Sequence, residues 1–127
     1  MRLLRLLSDE FTREVRLEIV TRLELGVESI KDEGYIPLRG ATEDLVVAAL
    51  APRVQDETGE IQGRTLFISL TGNRFCMFAN KLPGAICIAD STEVYADARR
   101  FGANMIEVSA TRHPDEILEI AMRFAQV

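Results

Sequence analysis

Short apolar runs alternate with helix-patterned stretches along the whole chain, and this alternation limits the possible folds more than any other feature. Residues 1–7, MRLLRLL, read as a buried strand. Ser8 and Asp9 are helix-capping types, and Phe11, Val15, Ile19 and Leu23 then recur at every fourth position, one face of a helix. Gly26 suits a helix C-terminus, and Val27 to Ile30 is long enough for a second, short strand. Residues 31–41, KDEGYIPLRGA, collect glycine, proline and charge and read as a loop. Thr42 can cap a helix reaching about Val54, and residues 55–63 form a polar connection.

The second half repeats the pattern. Thr65 to Ser69, TLFIS, is a third strand, broken by Thr71 and Gly72 before a helix over about 73–81. Ala85 to Ala89, AICIA, is a fourth strand, followed by a helix over about 92–101 that Gly102 ends. Met105 to Val108 is the fifth, and Pro114 opens a last helix with Ile117, Ile120, Ala121 and Phe124 on its apolar stripe. Strands this short and apolar, without strict in–out alternation, belong to a mostly parallel sheet covered on both faces. Right-handed crossovers then build an α/β, Rossmann-like three-layer αβα sandwich with five strands. With 127 residues and no linker or repeat, the expectation is one domain over 1–127.

Charge and composition remove whole classes of function. The net charge of −5 and the lack of a basic cluster argue against nucleic acid and anionic membranes as partners. The longest apolar run, Leu45 to Ala51, falls far short of the roughly 20 residues that span a bilayer. The N-terminus lacks a small-residue cleavage site, so no signal peptide is expected and the cytoplasm is the default. Cys76 and Cys87 lack CxxC spacing and read as small buried apolar residues in a reducing compartment.

In a doubly wound sheet, ligands bind beyond the carboxyl ends of the strands, where the strand order reverses. The segments to weigh are therefore Ser8–Asp9–Glu10, Ser69 to Arg74, Ala89 to Thr92 and Ser109 to His113. Ser69-Leu70-Thr71-Gly72-Asn73-Arg74 brings a glycine, two hydroxyls, an amide and a cation to one strand-to-helix turn. Its backbone N–H groups and Arg74 suit a phosphate or oxyanion, and the competing reading is a capped helix start with a surface arginine. Asp9 and Glu10 suit a metal, acid–base work or sugar hydroxyls, and equally an N-cap with a favourable charge on the helix dipole. His113, the sole histidine, has no neighbours at metal-ligand spacing; it either meets an anion or stands on the surface at a helix start. A phospho-receiver domain is excluded, because Ser69 and the Ser109–Arg112 stretch occupy the places of its required Asp and Lys.

The run from Thr71 to Lys81, TGNRFCMFANK, followed by LPG, resembles the glycine-rich loop and A-N-K-x-P-G run of a known family. That family comprises the type B ribose-5-phosphate isomerases and the LacA/LacB galactose-6-phosphate isomerases. Ala79, Asn80, Lys81, Pro83 and Gly84 match directly, as do Thr71 and Gly72, and Gly102-Ala103-Asn104-Met105-Ile106 is similar to the family's entry into its last strand. Asp9 falls on the family's first-strand Asp. The resemblance implies a Rossmann-like sandwich and aldose–ketose isomerisation of a sugar phosphate through an enediolate. It implies no metal or organic cofactor. It also implies a homodimer or higher homo-oligomer with sites between subunits, a homologous second subunit being the variant of that arrangement.

The standard catalytic set is largely replaced. Ser69 stands where many members carry a catalytic Cys, and its hydroxyl is a poor unaided base. Phe75 stands where others carry a Glu base. Glu10 and Ala89 replace two histidines, Arg74 replaces a loop glycine, and Thr111 replaces a phosphate-binding Arg, with Arg112 beside it. Relatives often continue past the last helix with basic residues, whereas this sequence stops at Val127, so few phosphate-binding cations are expected. The resemblance thus implies a divergent isomerase of a pentose or hexose phosphate. Asp9, Glu10 and Ser69 would serve catalysis. Thr71, Gly72, Asn73, Arg74, Arg112 and His113 would bind substrate or phosphate. The alternative is a catalytically inactive sugar-phosphate binder or structural partner subunit of the same fold.

Overall fold

The computed structural model describes residues 3–24, 29–70 and 73–126. Five strands alternate with five helices: β1 (Leu4–Ser8), α1 (Arg13–Glu24), β2 (Ile30–Tyr35), α2 (Glu43–Val54), β3 (Arg64–Ser69), α3 (Arg74–Ala79), β4 (Cys87–Ala89), α4 (Val94–Phe101), β5 (Met105–Ser109) and α5 (Pro114–Gln126). The strands form one sheet in the order β2-β1-β3-β5-β4, and every pairing is parallel. None of the described helices is long and apolar enough to cross a membrane.

The direction of each crossover decides which face its helix covers, because β–α–β connections are right-handed. The steps β1 to β2 and β4 to β5 run one way, and α1 and α4 share a core with α5. The steps β2 to β3 and β3 to β4 run the other way, and α2 and α3 share the second core. The strands split between the two cores by alternation. Leu4, Leu6, Leu66, Ile68, Ile106 and Val108 face α1, α4 and α5. Leu7, Phe67 and Met105 face α2 and α3, where the Phe67 and Phe75 rings stack with centroids 3.8 Å apart.

Three expectations change. The second strand occupies Ile30–Tyr35, so most of the stretch read as a loop is strand; residues 27 and 28, like Gly26, lie outside the described residues. IKDEGY is polar because β2 is an edge strand, paired only with β1, where charged side chains reach water and discourage further pairing. The first helix begins at Arg13, and Phe11 is 55% exposed instead of lying on the buried face. The Asp9 carboxylate takes the Phe11 and Thr12 N–H groups, which holds residues 10–12 in a turn ahead of the helix. The third helix stops at Ala79, before Asn80 and Lys81.

The family-like motifs act here as structural pins. Asn80 Nδ2 donates to the Cys87 carbonyl at 2.9 Å, and Asn80 Oδ1 accepts the Cys87 N–H at 2.7 Å. Asn104 repeats this on the other side, accepting the Ile86 N–H and donating to the Gly84 carbonyl, both at 2.9 Å. Gly63 sets the entry to β3 with φ +69°, and a Cβ there would press into the Leu3 carbonyl oxygen. Gly63→Ala is expected to cost roughly 2 kcal/mol or more and to lower the Tm by about 5 °C or more. A native Tm for this variant, read by differential scanning calorimetry, contradicts the close packing of β1 on the start of β3.

Candidate functional site

The chain leaves β1 toward β2 on one side and continues from β3 on the other, so a crevice opens between the carboxyl ends of β1 and β3. A hollow of about 120 Å³ lies there, lined by Asp9, Glu10, Phe11, Leu38, Arg39, Leu70 and Arg74. Three of the residues expected from the sequence thus meet in one place: Asp9, Glu10 and Arg74.

Asp9 is 3% exposed and heavily used. Its Oδ1 accepts the Phe11 N–H at 3.0 Å, the Thr12 N–H at 2.9 Å and the Thr12 hydroxyl at 2.8 Å. Its Oδ2 accepts the Leu70 N–H at 2.8 Å, which ties the end of β1 to the turn after β3. Glu10 reaches across to the segment after β2, accepting the Leu38 N–H at 3.0 Å and the Arg39 N–H at 3.3 Å. Partial burial pushes its carboxyl up, but these two N–H groups and the Arg39 charge outweigh it and hold Glu10 below its ordinary value. Glu10 is therefore an ionised anchor for the 36–42 segment and a weak base.

Arg74 is exposed at the start of α3 and makes no ion pair or hydrogen bond among the described residues. Arg39 stands across the hollow, also exposed. Two exposed guanidiniums beside two carboxylates, over an apolar rim of Phe11, Leu38 and Leu70, suit a small polar molecule carrying an anionic group. Sequence reasoning missed Arg39. Had the second strand been placed at 30–35, the strand-end rule would have selected the residues that follow it.

The other expected residues lie elsewhere. Asn73 and Arg112 line a second hollow of about 360 Å³ with Asp90, Ser91, Thr92, Ser109 and Thr111. Arg112 is committed there: its Nε and Nη2 clamp the Asp90 carboxylate at 2.6–2.9 Å, and Nη1 faces Glu116 at 3.3 Å. The Asp90 contact raises the Arg112 pKa further. His113 sits exposed at the start of α5, where its Nδ1 accepts the Asp115 N–H at 3.1 Å. Thr71 and Gly72 lie outside the described residues. Among the described residues no three His, Cys, Asp or Glu side chains gather as a metal site. A roomier hollow, about 710 Å³, opens at the opposite end of the sheet. Its Arg64 donates to the Ala103 carbonyl at 2.7 Å and covers the Phe124 ring, so its guanidinium serves the core.

Ser69 is fully buried at the end of β3, and behind it lies an acid that sequence reasoning also missed, Glu107. Glu107 sits inside β5, in register with Phe67, beneath the start of α3. Burial drives its carboxyl above the ordinary value, against opposing hydrogen bonds from the Ser69 hydroxyl and the Cys76 and Phe75 N–H groups; the nearby Asp9 charge adds to the rise. A lone acid at the centre of the run MIEVS was the available signal.

The parallel three-layer sandwich is the fold of the type B ribose-5-phosphate isomerases. The isomerase from Mycoplasma genitalium, solved with bound ribulose-5-phosphate, superposes with a TM-score of 0.73 at 22% identity over 98% of this chain and 83% of that one. The Anaplasma phagocytophilum enzyme gives 0.72 at 21% identity over 100% and 87%. The Giardia lamblia enzyme gives 0.69 at 21% identity over 97% and 93%. No protein-family model matches the sequence, and no curated protein does.

The raised carboxyl has a consequence for stability. An acid whose folded pKa lies above its ordinary value, here 4.5, favours the folded state only while protonated. As pH rises from there, the unfolded chain ionises first and the native protein loses stability until the folded value is passed. Each pKa unit is worth about 1.4 kcal/mol. Glu107→Gln cannot ionise, so its Tm advantage over the native chain should grow from pH about 4.5 upward and then level off. A difference that stays constant from about pH 4 to 8 contradicts a raised Glu107.

Proposed function

We propose that this chain binds a pentose or hexose phosphate in the hollow at the β1/β3 crevice and interconverts its aldose and ketose forms through an enediolate. The observation that carries this reading is the convergence of Asp9, Glu10, Arg39 and Arg74 on one hollow at the carboxyl ends of β1 and β3. The likeness of the fold to ribulose-5-phosphate-bound and other type B isomerases supports it. In this reading Arg74 and Arg39 take the phosphate or the enediolate charge. The Asp9 Oδ2, with a single hydrogen bond from Leu70, accepts from a sugar hydroxyl. Thr71 and Gly72 supply backbone donors. Arg112 joins only if Asp90 releases it. The reading includes a homodimer whose second subunit completes the site.

One observation favours a second reading, a non-catalytic sugar-phosphate binder. Both carboxylates of the hollow are engaged by backbone N–H groups, Asp9 by three and Glu10 by two. Neither is poised as a base.

Assay of the pure protein against a panel of aldose and ketose phosphates separates the two. Turnover supports the isomerase; stabilisation without turnover supports the binder. A ligand at a hundred times its Kd stabilises the folded state by about 2.7 kcal/mol, so a clear rise in Tm is expected with at least one sugar phosphate. Arg74→Ala should remove that rise while leaving the ligand-free Tm within about 2 °C of native, because Arg74 is exposed and has no ion pair among the described residues. An unchanged rise takes Arg74 out of the site.

A further inference from the structure

Glu10 carries a charge of the wrong sign for an anion site, yet it lines the hollow. Both of its carboxylate oxygens are spent on backbone. Oε1 accepts the Leu38 N–H at 3.0 Å and Oε2 the Arg39 N–H at 3.3 Å. Those two residues open a tight turn, which the Ala41 N–H closes on the Leu38 carbonyl at 3.2 Å. Gly40 takes the third place of the turn with φ +68°, the left-handed conformation that a type II turn requires there. Arg39 is thus the corner residue. Leu38, just before it, is buried with Ile36 in the core under α2, whereas Arg39 is exposed at the hollow.

The two adjacent acids at the end of β1 divide the walls of the hollow between them. Asp9 holds the wall that follows β3 by accepting the Leu70 N–H, and Arg74 stands on that wall. Glu10 holds the wall that follows β2, and Arg39 stands on it. The pairing of β1 with β2 runs as far as Ser8 and Tyr35, and the Ile36 N–H then donates to the Ser8 carbonyl at 2.9 Å. From Leu38 onward the Glu10 side chain takes over as the acceptor. Partial burial opposes its charge, but the two N–H groups and the Arg39 guanidinium outweigh that and keep the carboxyl ionised, so the grip persists through the neutral range.

We propose that Glu10 is a positioning residue: it fixes the corner of the 38–41 turn so that the Arg39 guanidinium meets, together with Arg74, the anionic group held in the hollow. This deepens the sugar-phosphate reading above and rests on it. The proposal has an unusual sign. By charge alone, a carboxylate beside the site repels an anion, and neutralising it tightens binding. Acting through Arg39, the same carboxylate strengthens binding, and neutralising it does the reverse. An amide side chain has one acceptor oxygen where the carboxylate has two. One of the two N–H groups at the start of the turn then loses its partner, and the corner that carries Arg39 is no longer fixed. Glu10 takes no proton from substrate in this scheme and acts only through its neighbour.

The test is Glu10→Gln in the full chain, with calorimetric titration of inorganic phosphate and of ribulose-5-phosphate at low salt. We expect Kd to rise about tenfold for both ligands. Arg39→Ala should raise it by a similar factor. The double variant should bind no more weakly than Arg39→Ala alone, because two residues that act through one contact do not add. Amide NMR shows whether the change is local: the Leu38 and Arg39 signals should move in Glu10→Gln, and those of Phe11, Thr12 and Leu70, which Asp9 holds, should stay. Unchanged or tighter binding by Glu10→Gln overturns the positioning role and leaves the anion site standing. Losses that multiply in the double variant overturn it too, as does movement of the three amides held by Asp9. Failure of the native protein to bind either ligand overturns the anion site and the role of Glu10 with it.

Discussion

One carboxylate holds the site end of this sheet together. Asp9 joins three elements: it ends β1, caps the turn before α1, and grips the chain leaving β3 through the Leu70 N–H. The Thr12 hydroxyl lies between Asp9 Oδ1 and the Ile68 carbonyl, at 2.8 and 2.9 Å, and its one proton serves both. The Asp9 N–H donates to the same Ile68 carbonyl. The crevice between β1 and β3 thus has fixed walls. Phe11, Leu70 and Arg74 line the hollow that opens there.

Around that anchor the acids are sorted by surroundings. Glu10 lies in a partly wet setting with two N–H donors, which hold it below its ordinary value. Glu107 lies in a dry one, and burial holds it above. Hydrogen bonding and burial thus set the two acids on opposite sides of the ordinary carboxyl value. The cations are sorted too. Arg112 and Arg64 are spent on structure, through Asp90 and through the Ala103 carbonyl, whereas Arg39 and Arg74 remain available at the hollow.

The residues that carried the family resemblance do structural work. Asn80 and Asn104 each grip backbone N–H and C=O groups around β4, a strand of only three residues that needs side-chain help to stay in register. Such pins demand an amide at one position in the fold, whatever the site above them does. This is why the motifs pointed to the right fold while the residues at the family's catalytic positions had changed.

The order of strands and helices was legible from the sequence because short apolar runs and capping residues are local signals. So were the all-covered parallel sheet and the strand ends worth examining. The strand-end rule selected Asp9, Glu10, Arg74 and Arg112 alike; that the first three share one hollow and Arg112 lines another was decided by the tertiary structure. The edge strand β2 was not legible, since its charges make sense only once it is known to have a neighbour on one side. Arg39 followed β2 out of view. Glu107 was hidden for a deeper reason. Whether an acid in a strand faces water or a buried hydroxyl depends on register against β3 and on the lid made by α3, and both are set by pairing between residues far apart in the chain. The periodicity of the sequence determined the scaffold; only tertiary packing decided which charges are free, which are tied down, and which one is kept dry behind Ser69.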